Sequence, residues 1–124
     1  MIAKSRRHAL KLAALAPLAA VLPASAQTAG FPSRPIKLIV PHAPGGNSDT
    51  FGRILAQSLS ERIGQQVVVE NLSGGAGSVG TRAVAKAKPD GLTITFGNNQ
   101  THGNNMFMLK EPGYDAVKDF APLA

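Results

Sequence analysis

The spacing of apolar residues changes period several times along the chain, and each change marks an element. Ile36-Lys37-Leu38-Ile39-Val40 is nearly all apolar, as expected of a short strand covered on both faces. Phe51, Ile54, Leu55, Leu59 and Ile63 then recur at three- and four-residue spacing, with Arg53, Gln57, Glu61 and Arg62 between them. This predicts an amphipathic helix over 49–63 with the apolar set inward, ended by Gly64 as a left-handed C-terminal cap. The β-branched run Val67-Val68-Val69-Glu70 predicts a second strand. A short helix follows over 78–87, with Val79, Ala83 and Val84 inward. Lys88-Pro89-Asp90-Gly91 is a turn by composition, and Leu92-Thr93-Ile94-Thr95-Phe96 a third strand. A polar loop (97–103) and a brief helical stretch (104–109) come next, ended by Pro112 and Gly113; the remainder, 114–124, reads as extended.

Strand–helix–strand–helix–strand at this spacing gives an α/β fold class, a parallel βαβαβ sheet with right-handed crossovers. The expected strand order is 2-1-3. That order sets the loops after the first and third strands, 41–48 and 97–103, on either side of the topological switch where such sheets bind ligands. The first of these, Pro41-His42-Ala43-Pro44-Gly45-Gly46-Asn47-Ser48-Asp49, has the chemistry of an anion cradle. Its prolines fix the exit from the strand. Its glycines allow a sharp turn with bare N–H groups. Ser48 or Asp49 is the expected cap of a helix whose first N–H groups lack internal partners.

Composition changes this picture mainly at the N-terminus. Residues 1–26 have a basic start (Lys4, Arg6, Arg7, Lys11), an apolar middle (Leu12 to Leu22) and the small-x-small ending Ala24-Ser25-Ala26. They read as an export signal removed near Ala26. The apolar stretch is short for a membrane span and is broken by Pro17. Ser5-Arg6-Arg7-His8-Ala9-Leu10-Lys11 resembles a twin-arginine signal with Ala9 in place of phenylalanine, so both that route and the ordinary one stay open. Without the signal, nine basic residues face seven acidic ones, a net charge of +2 in place of +6. That balance, with five Phe, one Tyr and no Trp, gives no case for nucleic acid. The absence of cysteine excludes disulfides and thiolate metal sites. Residues 27–35 read as a linker and 36–124 as an incomplete first lobe, because Phe120-Ala121-Pro122-Leu123-Ala124 brings no closing element.

Candidate chemistry is sparse. Gly75-Ala76-Gly77-Ser78-Val79-Gly80 fits the dinucleotide fingerprint G-x-G-x-x-G, which leaves an exported dinucleotide-binding enzyme using Gly75, Gly77 and Gly80 as the alternative reading. Against it, the motif follows the strand expected at the sheet edge, and the next strand ends without the expected acid, as Phe96-Gly97-Asn98-Asn99. A packing turn is the simpler account. His42 and His102 would share one sheet edge, but no third ligand stands at metal spacing. Asp49 has no nucleophile beside it, and no Gly-x-Ser-x-Gly elbow or phosphate loop occurs. The sequence therefore predicts no catalytic residue, no metal and no cofactor.

Several motifs in order carry a family resemblance. Residues 35–49, beginning Pro35-Ile36-Lys37 and ending Asn47-Ser48-Asp49, are similar to the first signature of the Bug family, the periplasmic solute-binding receptors of tripartite tricarboxylate transporters. The likeness continues through residues 55–71, Gly74 to Gly80, Lys88-Pro89-Asp90-Gly91 and Asp115 to Pro122. It implies the N-terminal part of a two-lobed, type II-like periplasmic binding protein, a monomer that closes on a small carboxylate and hands it to membrane permease subunits. The carboxylate would be a di- or tricarboxylate, an amino acid or an aromatic acid. By motif, the ligand-binding residues are His42, Ala43, Gly45, Gly46, Asn47, Ser48, Asp49, Asn98, Asn99, Gln100, Thr101 and His102. His42 stands where the family usually has Phe or Tyr, and Asn98-Asn99-Gln100-Thr101-His102 replaces the commoner Thr-Asn-Gly-Thr-His. The resemblance also implies a chain about three times as long as residues 27–124, with a second lobe and a return crossing. A 124-residue fragment is then expected to bind carboxylate weakly by itself.

Overall fold

The strand with the densest apolar run takes the centre of the sheet. In the computed structural model, which describes residues 30–123, β1 (Ile36–Val40) pairs in parallel with β2 (Val67–Asn71) on one side and β3 (Thr93–Thr95) on the other, in the order β2-β1-β3. The expected α/β class and strand order are both observed. Register runs Ile36 to Val67 and Val40 to Asn71 along one edge, and Leu38 to Ile94 along the other. Leu38 and Val40 are fully buried, and Ile36, Ala56, Val67 and Leu92 complete the core with Leu59, Val69, Ile94 and Phe96 packed against it. The proposed export signal and residues 27–29 of the linker lie outside the described residues. Among the described residues no helix is long and apolar enough to cross a membrane.

Helix α1 (Asn47–Ile63) joins β1 to β2, and α2 (Ser78–Ala85) joins β2 to β3. The two crossovers run in opposite directions, so right-handed connections set the helices on opposite faces of the sheet. Gly64 does end α1 in a left-handed conformation, with φ of 65° and its N–H donating to the Ser60 carbonyl. Ser60 also fixes the path into β2, since its hydroxyl donates to the Ala56 carbonyl (2.7 Å) and accepts from the Val67 N–H (2.9 Å).

The inward faces of both helices differ from the apolar periodicity. In α1 the buried residues are Asp49, Gly52 and Ala56, while Phe51, Ile54 and Leu55 are exposed, Phe51 at 60%. In α2 the buried residues are Ser78, Gly80 and Thr81, while Val79 is exposed. The reason is distance. A Cβ at Gly52 would lie 2.6 Å from Val40 Cγ2, so only a residue without one lets α1 sit this close to the sheet. Small residues and Leu59 face the sheet, and Phe51, Ile54, Leu55 and Ile63 are turned outward. The other differences are of extent: β2 continues to Asn71, β3 is three residues long, and the polar loop after it is already helical, a π turn (Gln100–Asn104) leading into α3 (Asn105–Met108).

This packing has a checkable consequence. In an exposed helix interior Gly→Ala is stabilising by roughly 0.5–1 kcal/mol, but Gly52→Ala is expected to destabilise by roughly 1–3 kcal/mol, as overpacking does. Ile54→Ala, at an exposed position, should stay within about 0.5 kcal/mol. Urea denaturation of the two variants checks both, and a larger loss for Ile54→Ala would mean that the apolar stripe faces the sheet.

Candidate functional site

Three turns meet at the C-terminal edge of the sheet. The first leaves β1 through Pro41, which is fully buried, and passes the half-buried His42 to the exposed Ala43, Pro44, Gly45 and Gly46. Gly45 has φ of 83°, which its lack of a Cβ permits. Gly46, in extended backbone, is the N-cap of α1 and gives no side-chain cap. The helix therefore starts two residues before Asp49, and neither Ser48 nor Asp49 stands at the cap position. Asp49, in the first turn of the helix, reaches backwards instead. Its Oδ2 accepts the Gly45 N–H (2.9 Å) and the Arg53 Nε–H (3.1 Å). Its Oδ1 accepts from Asn71 Nδ2 (3.0 Å) and lies 3.1 Å from an Arg53 terminal nitrogen. Asn71 Nδ2 also donates to the His42 carbonyl (3.1 Å), tying the end of β2 to the turn. The Gly45 N–H, then Arg53 and Asn71, lower the Asp49 pKa from 3.8 to about 2 against the opposing effect of burial. With both carboxylate oxygens engaged, Asp49 faces the protein. The N–H groups of Gly46, Asn47 and Ser48 have no acceptor among the described residues.

The second turn follows β3. Asn98 and Thr101 bond each other reciprocally: the Asn98 N–H donates to Thr101 Oγ1 (3.1 Å), and the Thr101 N–H donates to Asn98 Oδ1 (3.0 Å). Thr101 is fully buried, whereas Asn99 is exposed and Gln100 partly so. The His102 ring lies edge-on to Phe120, with centroids 4.9 Å apart, and its Nδ1 is 2.9 Å from Thr101 Oγ1; burial lowers its pKa. A Cβ at Gly97 would lie 2.8 Å from that ring, so the glycine makes room for it. Gly97, Asn98, Asn99, His102, Gly103 and Asn104 line an open concavity of about 510 Å³. Behind them Asn105, fully buried, donates to the Ala76 carbonyl (2.9 Å) and accepts from Gln100 Nε2 (2.7 Å), and the Tyr114 hydroxyl donates to the Thr101 carbonyl (2.5 Å).

The two turns touch where Asn98 Nδ2 lies 2.8 Å from His42 Nε2. Stretches fifty-six positions apart in sequence are thus joined at the expected switch. The third turn is the glycine fingerprint. A Cβ on Gly77, at φ of 84°, would come within 2.7 Å of Thr101 Cγ2 and 3.2 Å of the Pro41 carbonyl oxygen. One on Gly80 would lie 2.6 Å from the Leu72 carbonyl oxygen. The space that a pyrophosphate would need beside these glycines is filled by Pro41, Leu72 and Thr101. Among the described residues no three His, Cys, Asp or Glu side chains are grouped as a metal site requires.

Sequence reasoning missed Arg53, Asn71, Asn105 and Tyr114, the residues that brace the turns. Two of them left signals: Arg53 stands four residues after Asp49 on one helix, and Asn71 is the polar end of an apolar strand.

The family model described as the tripartite tricarboxylate transporter family receptor matches residues 51–124. A UPF0065 protein of Bordetella bronchiseptica is 41% identical over 107 residues, covering 86% of this chain and 32% of the relative. Among solved structures, the periplasmic binding protein BugD superposes with a TM-score of 0.71 at 39% identity, covering 74% of this chain and 30% of that one. MatC from Rhodopseudomonas palustris with bound malate superposes with a TM-score of 0.74 at 36% identity, covering 76% and 32%. The chain spans about a third of the length of these relatives.

Two outcomes follow from the bracing. A carboxyl whose folded pKa is lowered from 3.8 to about 2 adds stability that is present above the ordinary value and is lost as pH falls through about 2. Urea midpoints measured from pH 5 downward should therefore fall less steeply in Asp49→Asn, from a lower plateau, than in the parent chain. Gly77→Val should lower thermal stability and perturb amide resonances of both His42 and Thr101 in NMR spectra. A change confined to the α2 turn would show that Gly77 does not set the spacing of the other two.

Proposed function

The chain belongs to the tripartite tricarboxylate transporter receptor family, and on that premise we propose that its two joined turns grip one carboxylate of a small solute in the periplasm. The observation that carries this reading is the juxtaposition of free backbone N–H groups at Gly46, Asn47 and Ser48 with the amide-rich turn from Asn98 to His102, bridged at 2.8 Å. N–H groups at a helix start favour an anion, and Arg53 offsets the charge of nearby Asp49.

In this reading Ala43, Gly46, Asn47 and Ser48 meet the solute through the first turn, and Asn99 and Gln100 through the second. Gly45, Asp49, Asn98, Thr101 and His102 shape the turns by bonding one another. The solute is bound and released unchanged, as the periplasmic binding role of BugD supports. Malate in MatC supports a dicarboxylate or related small acid. Residues 1–26 act as the export signal, 27–35 as a linker and 36–124 as part of the first lobe. Relatives about three times as long support a second lobe that closes over the grip, in a monomer that delivers its solute to membrane permease subunits.

Asn47→Asp is the discriminating variant. An acid in the first helical turn is stabilising by roughly 0.3–1 kcal/mol, so the fold should hold while a second negative charge stands at the grip. Calorimetric titration of the full receptor with a panel of small mono- and dicarboxylates should show affinity reduced by roughly tenfold, about 1.4 kcal/mol, with an unchanged or raised melting temperature. Equal affinity in parent and variant would place the carboxylate elsewhere.

A further inference from the structure

The bridge between the turns determines where a proton sits. The Thr101 backbone N–H lies 3.0 Å from one terminal atom of the Asn98 side-chain amide. A backbone N–H can only donate, so that atom is the oxygen. A donor fixed by the main chain thus sets the orientation of the amide. The other terminal atom is then Nδ2, which is only a donor, and it faces His42 Nε2 at 2.8 Å. Nε2 must carry a lone pair, so the neutral ring holds its proton on Nδ1. A cationic ring would oppose an N–H to an NH₂ group at that distance.

His42 is also held along the rest of its length. Its carbonyl accepts from Asn71 Nδ2 (3.1 Å), and its Cε1 is 3.4 Å from where a Gly77 Cβ would stand. Nδ1 has no acceptor among the described residues, and it is not enclosed, because Arg82 Nε is the buried side-chain polar atom left without a partner there. One N–H donor, fixed in tautomer and position, is thus left at the seam of the two turns.

We propose that His42 is a specificity-determining residue, whose neutral Nδ1–H donates to an oxygen that the solute carries beside its gripped carboxylate. This rests on the carboxylate grip proposed above. A neutral donor adds direction and no net charge, so it discriminates among acids of equal charge and length. The solute class is therefore a 2-hydroxy or 2-oxo acid in preference to its unsubstituted parent. A solute lacking that oxygen leaves the donor unpaired once water is excluded, which is the circumstance in which hydrogen-bonding sites discriminate most strongly.

The test has two independent arms. In the ¹⁵N-labelled chain at neutral pH, long-range ¹H–¹⁵N spectra of the histidine rings should show His42 with its proton on Nδ1. A proton on Nε2, or a cationic ring, overturns the proposal whatever the solute does. In the full receptor, calorimetry with matched pairs (malate and succinate, lactate and propionate, mandelate and phenylacetate) should give roughly tenfold preference for the hydroxy acid of the pair that binds. His42→Phe should abolish the preference, bringing the ratio of affinities within the pair to about one. His42→Asn, whose amide nitrogen stands near the Nδ1 position, should restore part of it. Equal affinity within a bound pair overturns the role of His42 and leaves the grip intact. Failure of every carboxylate to bind overturns both.

Discussion

A buried carboxylate is tolerable only when its charge and its lone pairs are met, and Asp49 is the group on which the sheet edge depends. Its partners come from three places: the turn at Gly45, the same helix at Arg53, and the end of β2 at Asn71. Removing Arg53 would leave a charge without compensation next to the core, and removing either other bond would leave a lone pair unmet. The carboxylate thereby fixes the turn, the start of α1 and the end of β2 relative to one another. Its backward bond to Gly45 also explains why the N–H groups without an acceptor among the described residues begin at Gly46.

The second constraint is close approach. Gly52 lets α1 contact Val40, and Gly77 and Gly80 let the third turn contact Pro41, Leu72 and Thr101. In each case a missing side chain, and no apolar one, makes the contact. Such contacts hold backbone segments at fixed separations, which a grip built from main-chain N–H groups requires. Their counterpart is an apolar stripe of Phe51, Ile54 and Leu55 facing outward.

The strands, their order and the location of the switch were legible because burial of a central parallel strand leaves a continuous apolar run, as in Ile36–Val40. The helix faces were not. Periodicity reports which side chains are apolar, and it is silent where a glycine sets the contact, as at Gly52. The cap was misplaced for a related reason. Asp49 is a good cap by type, but Gly46 takes that position and Asp49 acts from within the helix. Of the candidate site, topology foretold that turns 41–48 and 97–103 would meet, but no spacing rule connects His42 to Asn98 or Asn105 to Ala76. Those pairs form only once the backbone has brought the turns together. His42 and Asn98, one from each turn, touch.

The glycine fingerprint shows how one local pattern acquires different uses. G-x-G-x-x-G specifies that something approaches the backbone closely, without saying what. At a switch point beside an empty crevice that something can be a pyrophosphate. Here the motif follows β2, at the sheet edge, and the crevice is already occupied by the exit of β1 and the turn after β3. Gly77 therefore lies between Pro41 and Thr101 as a spacer. A spacer that cannot accept a Cβ resists any substitution that would push these stretches apart. It packs against Pro41 and Thr101, in the same two turns whose His42 and Asn98 form the 2.8 Å bridge.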